Sequence, residues 1–252
     1  MHRVYNYSMR NIKLTISYDG TRYSGWQSQK NGRSIQDTIE RAIKKVTGKT
    51  TSLKGSGRTD AGVHAAAQVA NFHTSSKLPA KNIMMAINKS LPKDIVITKA
   101  EEVHSRFNSQ HSARYKIYRY TVFNGDFLDP LIRHFAAKCF YSLNIGRMKK
   151  AAKMLEGRHD FRSFQAKDAI EKGSVRTVSY IRVKKSGKRI YFEIKADGFL
   201  YNMVRNIVGT LIEVGRGRME VADMKRILLG KDRRLAGPTM PAKGLCLMEV
   251  GY

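Results

Sequence analysis

Between residues 11 and 46 the spacing of apolar side chains changes from two residues to between three and four. That change limits the fold more than any other feature of the chain. Ile12, Leu14 and Ile16 alternate with polar residues, the period of a strand with one buried face. Tyr18-Asp19-Gly20 ends that strand in a turn. Ile35, Ile39, Ala42, Ile43 and Val46 then keep helical spacing. Ser34 is placed to cap the helix, Asp37 to reach back to the cap, and Gly48 to end it. Residues 51–54 read as a short strand, 63–73 as the return strand, 80–91 as a second helix and 94–98 as another strand. The order β-α-β-β-α-β within about 100 residues is the split-βαβ pattern.

The second half follows that order loosely. Residues 114–123 read as a strand dense in tyrosine and basic residues, and 144–157 as a helix capped by Asn144 with Met148, Ala151, Ala152 and Leu155 inward. Residues 175–185 and 189–196 form a hairpin across Ser186-Gly187. A long apolar helix over 199–214 ends at Gly215, a shorter one covers 221–229, and 245–250 closes as a strand. The fold class is therefore α+β with two split-βαβ halves. An arm over 1–10 precedes a domain over 11–107, which carries the glycine-rich loop described below, and a second domain covers 108–252. A polar stretch over 105–113 connects the two domains.

Charge narrows the partner. Lys and Arg number 47 against 20 Asp and Glu, a formal net charge of +27. An excess of that size points to a polyanion, because neutralising phosphates with counterion release supplies most non-specific nucleic-acid affinity. A membrane surface is the rival, but it needs a basic amphipathic helix or a lipidation signal, and neither is visible. No apolar run is long enough to span a bilayer. Residues 1–10 lack the apolar centre of a signal peptide, and Met9 offers a second start. Cys139 and Cys246 are far apart and outside any CxxC, which fits a reduced, cytoplasmic setting. The seven histidines show no ligand spacing, so no metal is expected.

Three stretches carry chemistry. In residues 54–65, Gly55, Gly57 and Gly62 surround Arg58 and Asp60. Val63, Ala65, Ala67 and Val69 follow at period two, so Asp60 stands on a glycine-rich loop entering a strand. A carboxylate at the mouth of a rigid strand suits catalysis, and an Asp capping a turn beside an exposed Arg is the plainer alternative. His64 is too far along an extended strand to be its acid–base partner, and packing or an RNA-edge contact suits it better. Trp26 serves as a core plug or a stacking platform. In the second stretch, Arg114, Lys116, Tyr118 and Tyr120 share one strand face, and interleaved cations and rings suit phosphates and bases. An amphipathic sheet face is the alternative. In the third, Arg205 stands at the edge of the apolar stripe Leu200, Met203, Val204, Ile207, Val208 and Leu211, with Gly209 leaving room beside it. A cation so placed wants a carboxylate or snorkels to water.

The string Gly57-Arg58-Thr59-Asp60-Ala61-Gly62-Val63-His64-Ala65 resembles the signature of the TruA family of tRNA pseudouridine synthases. Ala113 to Tyr120, Gly198 to Gly209, Asp160 to Phe164 and Pro238 to Leu245 are similar to further segments of that family, in the same order. Met240 and Cys246 depart from the family pattern, where a smaller and an aromatic residue are usual. The resemblance implies the pseudouridine synthase fold, two α/β halves with sheets side by side and an RNA-binding cleft between them. It implies a homodimer with one tRNA across both subunits. The implied reaction is isomerisation of uridine to pseudouridine at positions 38, 39 and 40 of the anticodon arm, without cofactor or metal. Asp60 is implied as the nucleophile, Arg205 as its ion-pair partner and Tyr118 as the third residue of the site. Asp160 to Phe164 is expected to pack beneath it.

The uracil must leave its glycosidic bond, turn, and reattach through C5. An ionised Asp60 captures the sugar or removes its 2′ proton, and attack on the base stays open as well. Arg205 favours the ionised carboxylate and orients it. Tyr118 removes the C5 proton or stacks on the base. A stem nucleotide must be extruded, with Arg58 filling the vacated stack, while Arg114 and Lys116 meet the RNA. A non-catalytic RNA-binding protein uses the same charge and rings, and only the Asp60–Tyr118–Arg205 set separates it from an enzyme. A metal-dependent nuclease would want paired carboxylates, which Asp19, Asp126 and Asp129 do not offer near the motif.

Overall fold

The computed structural model describes residues 9–30, 32–166 and 173–252. Of the expected N-terminal arm, residues 1–8 lie outside the described residues. The chain divides into two compact units, one up to Ala113 with Tyr252 added, the other Arg114–Gly251.

The first unit contains β1 (Arg10–Tyr18), α1 (Ile35–Thr47), β2 (Lys54–Gly55), β3 (His64–Thr74), α2 (Ala80–Ser90) and β4 (Ile95–Val103). Its strands lie in the order β4-β1-β3-β2, each pair antiparallel. Ile12, Leu14 and Ile16 of β1 and Ile35, Ile39 and Ile43 of α1 have no exposed surface. The two periods in the sequence thus supply the two faces of one core. Ser34 caps α1: the Asp37 amide donates to its Oγ at 3.0 Å, and that Oγ donates to Asp37 Oδ2 at 2.6 Å. Gly48, with φ of +72°, ends the helix.

Two strands differ from their sequence reading. β2 keeps only two residues, because the segment before it is tied to α1. The Leu53 amide donates to Glu40 Oε1 at 2.8 Å and its carbonyl accepts from Gln36 Nε2 at 3.2 Å. β4 runs on from Thr98 to Val103, carried by cross-strand ion pairs from β1, Lys13 to Glu101 at 2.9 Å and Arg10 to Glu102 at 2.7 Å. Charged side chains on both strands hid that extension.

β3 is buried on both faces from Gln68 to Phe72. The face turned away from the helices carries Asn71 and, across the ladder, Asn11, each 1% exposed. Asn71 Nδ2 donates to Asn11 Oδ1 at 2.9 Å, and Asn71 Oδ1 accepts from the Ser109 amide at 2.9 Å. Asn11 Nδ2 donates to the carbonyls of His104 and Phe107. The polar stretch 104–109 therefore roofs this face. Ser109 Oγ adds a short bond to the Lys54 carbonyl, and the Ser109 carbonyl accepts from the Tyr252 hydroxyl.

The second unit contains β5 (Tyr115–Asn124), β6 (Ala137–Cys139), α3 (Ile145–Lys153), β7 (Gly157–Asp160), β8 (Val175–Ser186), β9 (Arg189–Ala196), α4 (Met203–Gly215), α5 (Asp223–Gly230) and β10 (Leu245–Gly251). Its strand order is β10-β5-β9-β8-β7, with β6 parallel to the end of β5. The short strands β6 and β7 have no period that a sequence could show. Tyr120, Ile190, Phe192 and Ile194 from the sheet meet Met148, Ala151, Ile207, Val208 and Leu211 from the helices and Leu155 from the turn after α3, all fully buried. α4 begins at Met203 rather than Phe199, because Asn202 takes a left-handed conformation with φ of +62° and the chain turns there before the helix starts.

Asn71→Leu is expected to lower stability by about 1–3 kcal/mol, since it leaves the buried Ser109 amide and Asn11 Oδ1 without the partner Asn71 supplies. Urea unfolding reads this directly, and an unchanged midpoint would show that the roof holds without the Asn pair.

Candidate active site

Asp60 is held from below by backbone and from the side by buried polar groups. Gly55 lies against Trp26: a Cβ there would sit 2.5 Å from the indole, so no larger residue fits. Trp26 is 2% exposed, with its ring 6.2 Å from that of Tyr18, which makes it a core plug rather than a stacking platform. Its amide donates to the Thr59 carbonyl at 2.9 Å, and its own carbonyl accepts from the Gln36 amide at 3.0 Å. The first turn of α1 is thereby fastened to the residue before Asp60. The Thr59 and Tyr18 hydroxyls share a hydrogen bond of 2.8 Å. After Asp60, its carbonyl accepts from the Val63 amide at 3.1 Å, a turn that Gly62 closes at φ of +76°.

Gln68 completes the frame. It has no exposed surface. Its Oε1 accepts from Ser56 Oγ at 2.6 Å and from the Val69 amide at 3.1 Å, while Nε2 donates to the Gly57 carbonyl at 3.0 Å. Within this loop Thr59 is buried, Asp60 half-buried and Arg58 exposed. His64 is 3% exposed and packs on the Tyr18-Asp19-Gly20 turn, its Nδ1 accepting from the Gly20 amide at 3.1 Å and lying 3.1 Å from Asp19 Oδ1.

In the second unit the face of β5 shared by Arg114, Lys116, Tyr118 and Tyr120 is graded rather than open. Arg114 is exposed, Lys116 half-buried, Tyr118 8% exposed and Tyr120 fully buried. Burial, with a smaller contribution from the nearby Arg176, holds the Lys116 ammonium below its usual pKa. Tyr118 meets Phe199 edge-on, with centroids 5.0 Å apart at 85°. The Tyr120 hydroxyl donates to the Pro241 carbonyl at 2.6 Å, and burial raises its pKa well above the ordinary phenol value. Tyr120 is thus a core residue, not a platform for bases.

Arg205 lies in the first turn of α4, half-buried. Its Nε donates to the Met240 carbonyl at 2.6 Å and its Nη1 to Asn202 Oδ1 at 2.7 Å. Two bonds on different nitrogens fix the plane of the guanidinium. Gly209 has a different purpose from the one expected. A Cβ there would lie 1.8 Å from the Pro238 carbonyl oxygen, so the glycine admits the backbone of the 238–245 segment and not the Arg205 side chain. Asp160 to Phe164 connects to the same helix, for the Phe164 carbonyl accepts from Asn206 Nδ2 at 2.7 Å.

Sequence reasoning missed Gln68, Asn202, Asn206 and the Met240 carbonyl. Gln68 left a signal: it falls on the face of β3 opposite the apolar alternation, inside a strand with no need for a long polar side chain. Met240 left none, because it contributes through its backbone. Among the described residues no group of three His, Cys, Asp or Glu is placed to hold a metal, and no helix is long and apolar enough to cross a membrane.

Over most of its length the chain matches pseudouridine synthases. A family model described as tRNA pseudouridine synthase matches residues 14–112 and 151–252. The chain is 47% identical over 244 residues to the tRNA pseudouridine synthase A of Acetivibrio thermocellus, covering 97% of this chain and all of that one. It is 48% identical, with the same coverage, to the tRNA pseudouridine synthase A 2 of Clostridium perfringens, and 44% identical to the enzyme of that first name in Pelobacter propionicus. A distant likeness, 15% identical with a TM-score of 0.37 over 94% of this chain, is to a chain of a Cbf5–Nop10–Gar1 complex, of which this chain spans 57%. The chain belongs to the tRNA pseudouridine synthase family and is, by that membership, an isomerase that turns uridine in tRNA into pseudouridine.

Gly209→Ala is expected to destabilise the second unit by about 1–3 kcal/mol, the usual cost of forcing volume into a packed site. Calorimetry checks it, and a parental melting temperature would mean that the Pro238 backbone yields without cost.

Proposed function

We propose that the chain acts at positions 38, 39 and 40 of the tRNA anticodon arm, with Asp60 as nucleophile and Tyr118 and Arg205 as its partners in the reaction. The observation that carries this reading is the frame around Asp60. Trp26 and Tyr18 hold the residue before it, Gln68 holds Ser56 and Gly57, and the carboxylate is left half-buried at the mouth of β3. A reacting group must be kept within a fraction of an ångström of its productive place, and buried supports do that.

In the reaction the bond between C1′ and N1 breaks, the base turns, and C1′ bonds to C5. The C5 proton leaves and N1 gains one, so the product is an isomer and no redox partner is consumed. The Asp60 carboxylate captures C1′ or takes the 2′ proton while the base is detached. Arg205 supplies a planar fork that a carboxylate or an oxyanion accepts through two bonds. Tyr118, packed edge-on against Phe199, relays the C5 proton to a neighbouring group or a water as it gives up its own hydroxyl proton, or stacks on the uracil. Arg58 and Arg114 are open to phosphate or to a vacated stack. Lys116, whose ammonium burial holds below its usual pKa, is favoured in its charged form by a phosphate beside it.

The enzyme is further proposed to be a cytoplasmic homodimer that needs neither cofactor nor metal. Sedimentation reads the dimer, and a monomer bound to tRNA one-to-one would remove it. Dialysis against EDTA is expected to leave turnover intact.

Mutation separates catalysis from mere binding. Asp60→Asn is expected to abolish formation of carbodiimide-stable pseudouridine in unmodified tRNA while affinity for that tRNA stays near parental. Turnover surviving above about one hundredth, within the range a lost positioning contact costs, would demote Asp60 from nucleophile. Arg205→Lys keeps the charge and loses the fork, so most of the rate should go with it. A rate near parental would overturn the role given to Arg205.

A further inference from the structure

The guanidinium of Arg205 is held by the Met240 carbonyl, and the residue before Met240 belongs to a polar cluster with no assigned role. Asn206, the next residue of α4, has no exposed surface. Its Oδ1 accepts from Thr239 Oγ1 at 2.6 Å and from Arg233 Nη2 at 3.0 Å. The same Arg233 nitrogen lies 3.0 Å from Thr239 Oγ1, and Arg233 Nη1 donates to the Ala236 carbonyl at 3.2 Å. Only one proton arrangement serves all of these bonds: Thr239 donates to Asn206 and accepts from Arg233. On the far side of the segment, the Gly237 amide donates to Thr210 Oγ1 at 2.9 Å, and Thr210 donates to the Asn206 carbonyl at 2.8 Å.

Arg233 is the unusual member. It is half-buried, and burial holds its guanidinium below its ordinary pKa. Its hydrogen bonds among the described residues all go to neutral oxygens, those of Asn206, Thr239 and Ala236. A partly desolvated cation without a carboxylate costs stability. Its fork nevertheless serves three oxygens on two separate segments from two nitrogens held in one plane, a geometry that a single ammonium nitrogen does not copy.

The residue after Thr239 closes the chain of contacts. Met240 accepts from Arg205 Nε through its carbonyl at 2.6 Å and donates its amide to the Arg205 carbonyl at 3.3 Å. We propose that Asn206, Thr239 and Arg233 are positioning residues: they fix the Met240 carbonyl, and through it the plane in which Arg205 presents its fork. The inference rests on the catalytic reading of Arg205. A misplacement of about 1 Å at a reacting group costs on the order of a hundredfold in rate. A hydroxyl one residue from the carbonyl that orients Arg205 therefore has leverage on the chemistry without touching the substrate.

The test is Thr239→Val, which keeps the branched shape and removes the hydroxyl at an exposed residue. Single-turnover formation of pseudouridine should slow by about ten- to a hundredfold, while the dissociation constant for tRNA stays within about twofold, well under a tenfold step of 1.4 kcal/mol. Thr239→Ser, which restores the hydroxyl, should restore the rate. Arg233→Lys, which keeps the charge but not the fork, should resemble Thr239→Val. The positioning role is overturned by a parental rate in Thr239→Val, by a Ser variant as slow as the Val variant, or by an equal loss of rate and tRNA affinity. The last result would make Thr239 an RNA contact. Arg205→Lys, assayed beside them, separates two failures. If it is slow while Thr239→Val is fast, only the positioning network falls; if Arg205→Lys is itself fast, the catalytic role of Arg205 falls and the network with it.

Discussion

The hydrogen bond from the Trp26 amide to the Thr59 carbonyl joins two things that the chain keeps far apart. On one side is an amphipathic helix whose first turn is tied to Gly25 and Trp26; on the other is the loop that carries Asp60. The bond holds because the indole is buried, and the indole can be buried because Gly55 has no side chain. Remove the space at Gly55 and the ring must move, taking with it the backbone that fixes Thr59. The loop that carries Asp60 is thus set in place by packing against a buried ring.

The second unit solves a similar problem with a different device. α4 is buried almost all round, and the half-buried arginine in its first turn is anchored at several points. The 238–245 segment supplies backbone oxygen: Met240 for Arg205 and Pro241 for the buried Tyr120 hydroxyl. Gly209 lets that segment come close enough. One short stretch therefore accepts hydrogen bonds from an arginine and from a tyrosine whose hydroxyl would otherwise be unpaired in the core. The departure at Met240 from the family pattern leaves this intact, because the carbonyl, not the side chain, makes the contact.

Much of this was legible in the sequence. The element order of the first unit, the Ser34 cap, the inward face of α3 and the hairpin of β8 and β9 follow from period and turn chemistry. The position of Asp60 on a glycine-rich loop entering a strand was legible for the same reason. What was not legible depends on the third dimension. β4 was cut short because ion pairs, not apolar alternation, carry its second half. The face of β5 looked like an open basic and aromatic surface, yet Tyr120 is core, since periodicity cannot say which side of a sheet a helix will cover. Gly209 was assigned to the wrong neighbour for want of Pro238. Gln68, the residue that clamps the loop, was overlooked because a polar side chain in a strand is ordinarily assumed to face water.

β3 is buried on both faces from Gln68 to Phe72, and Gln68 is also the clamp on the loop. Buried ladder amides at the centre of a sheet exchange with solvent only when the whole unit opens, unlike those of frayed ends and mobile loops. The Asp60 loop is therefore tied, through Gln68, to a strand whose centre is buried on both faces. Such a loop has no private melting transition. On warming, the Asp60 loop is held in order for as long as the buried centre of β3 is, so the two are expected to lose order together.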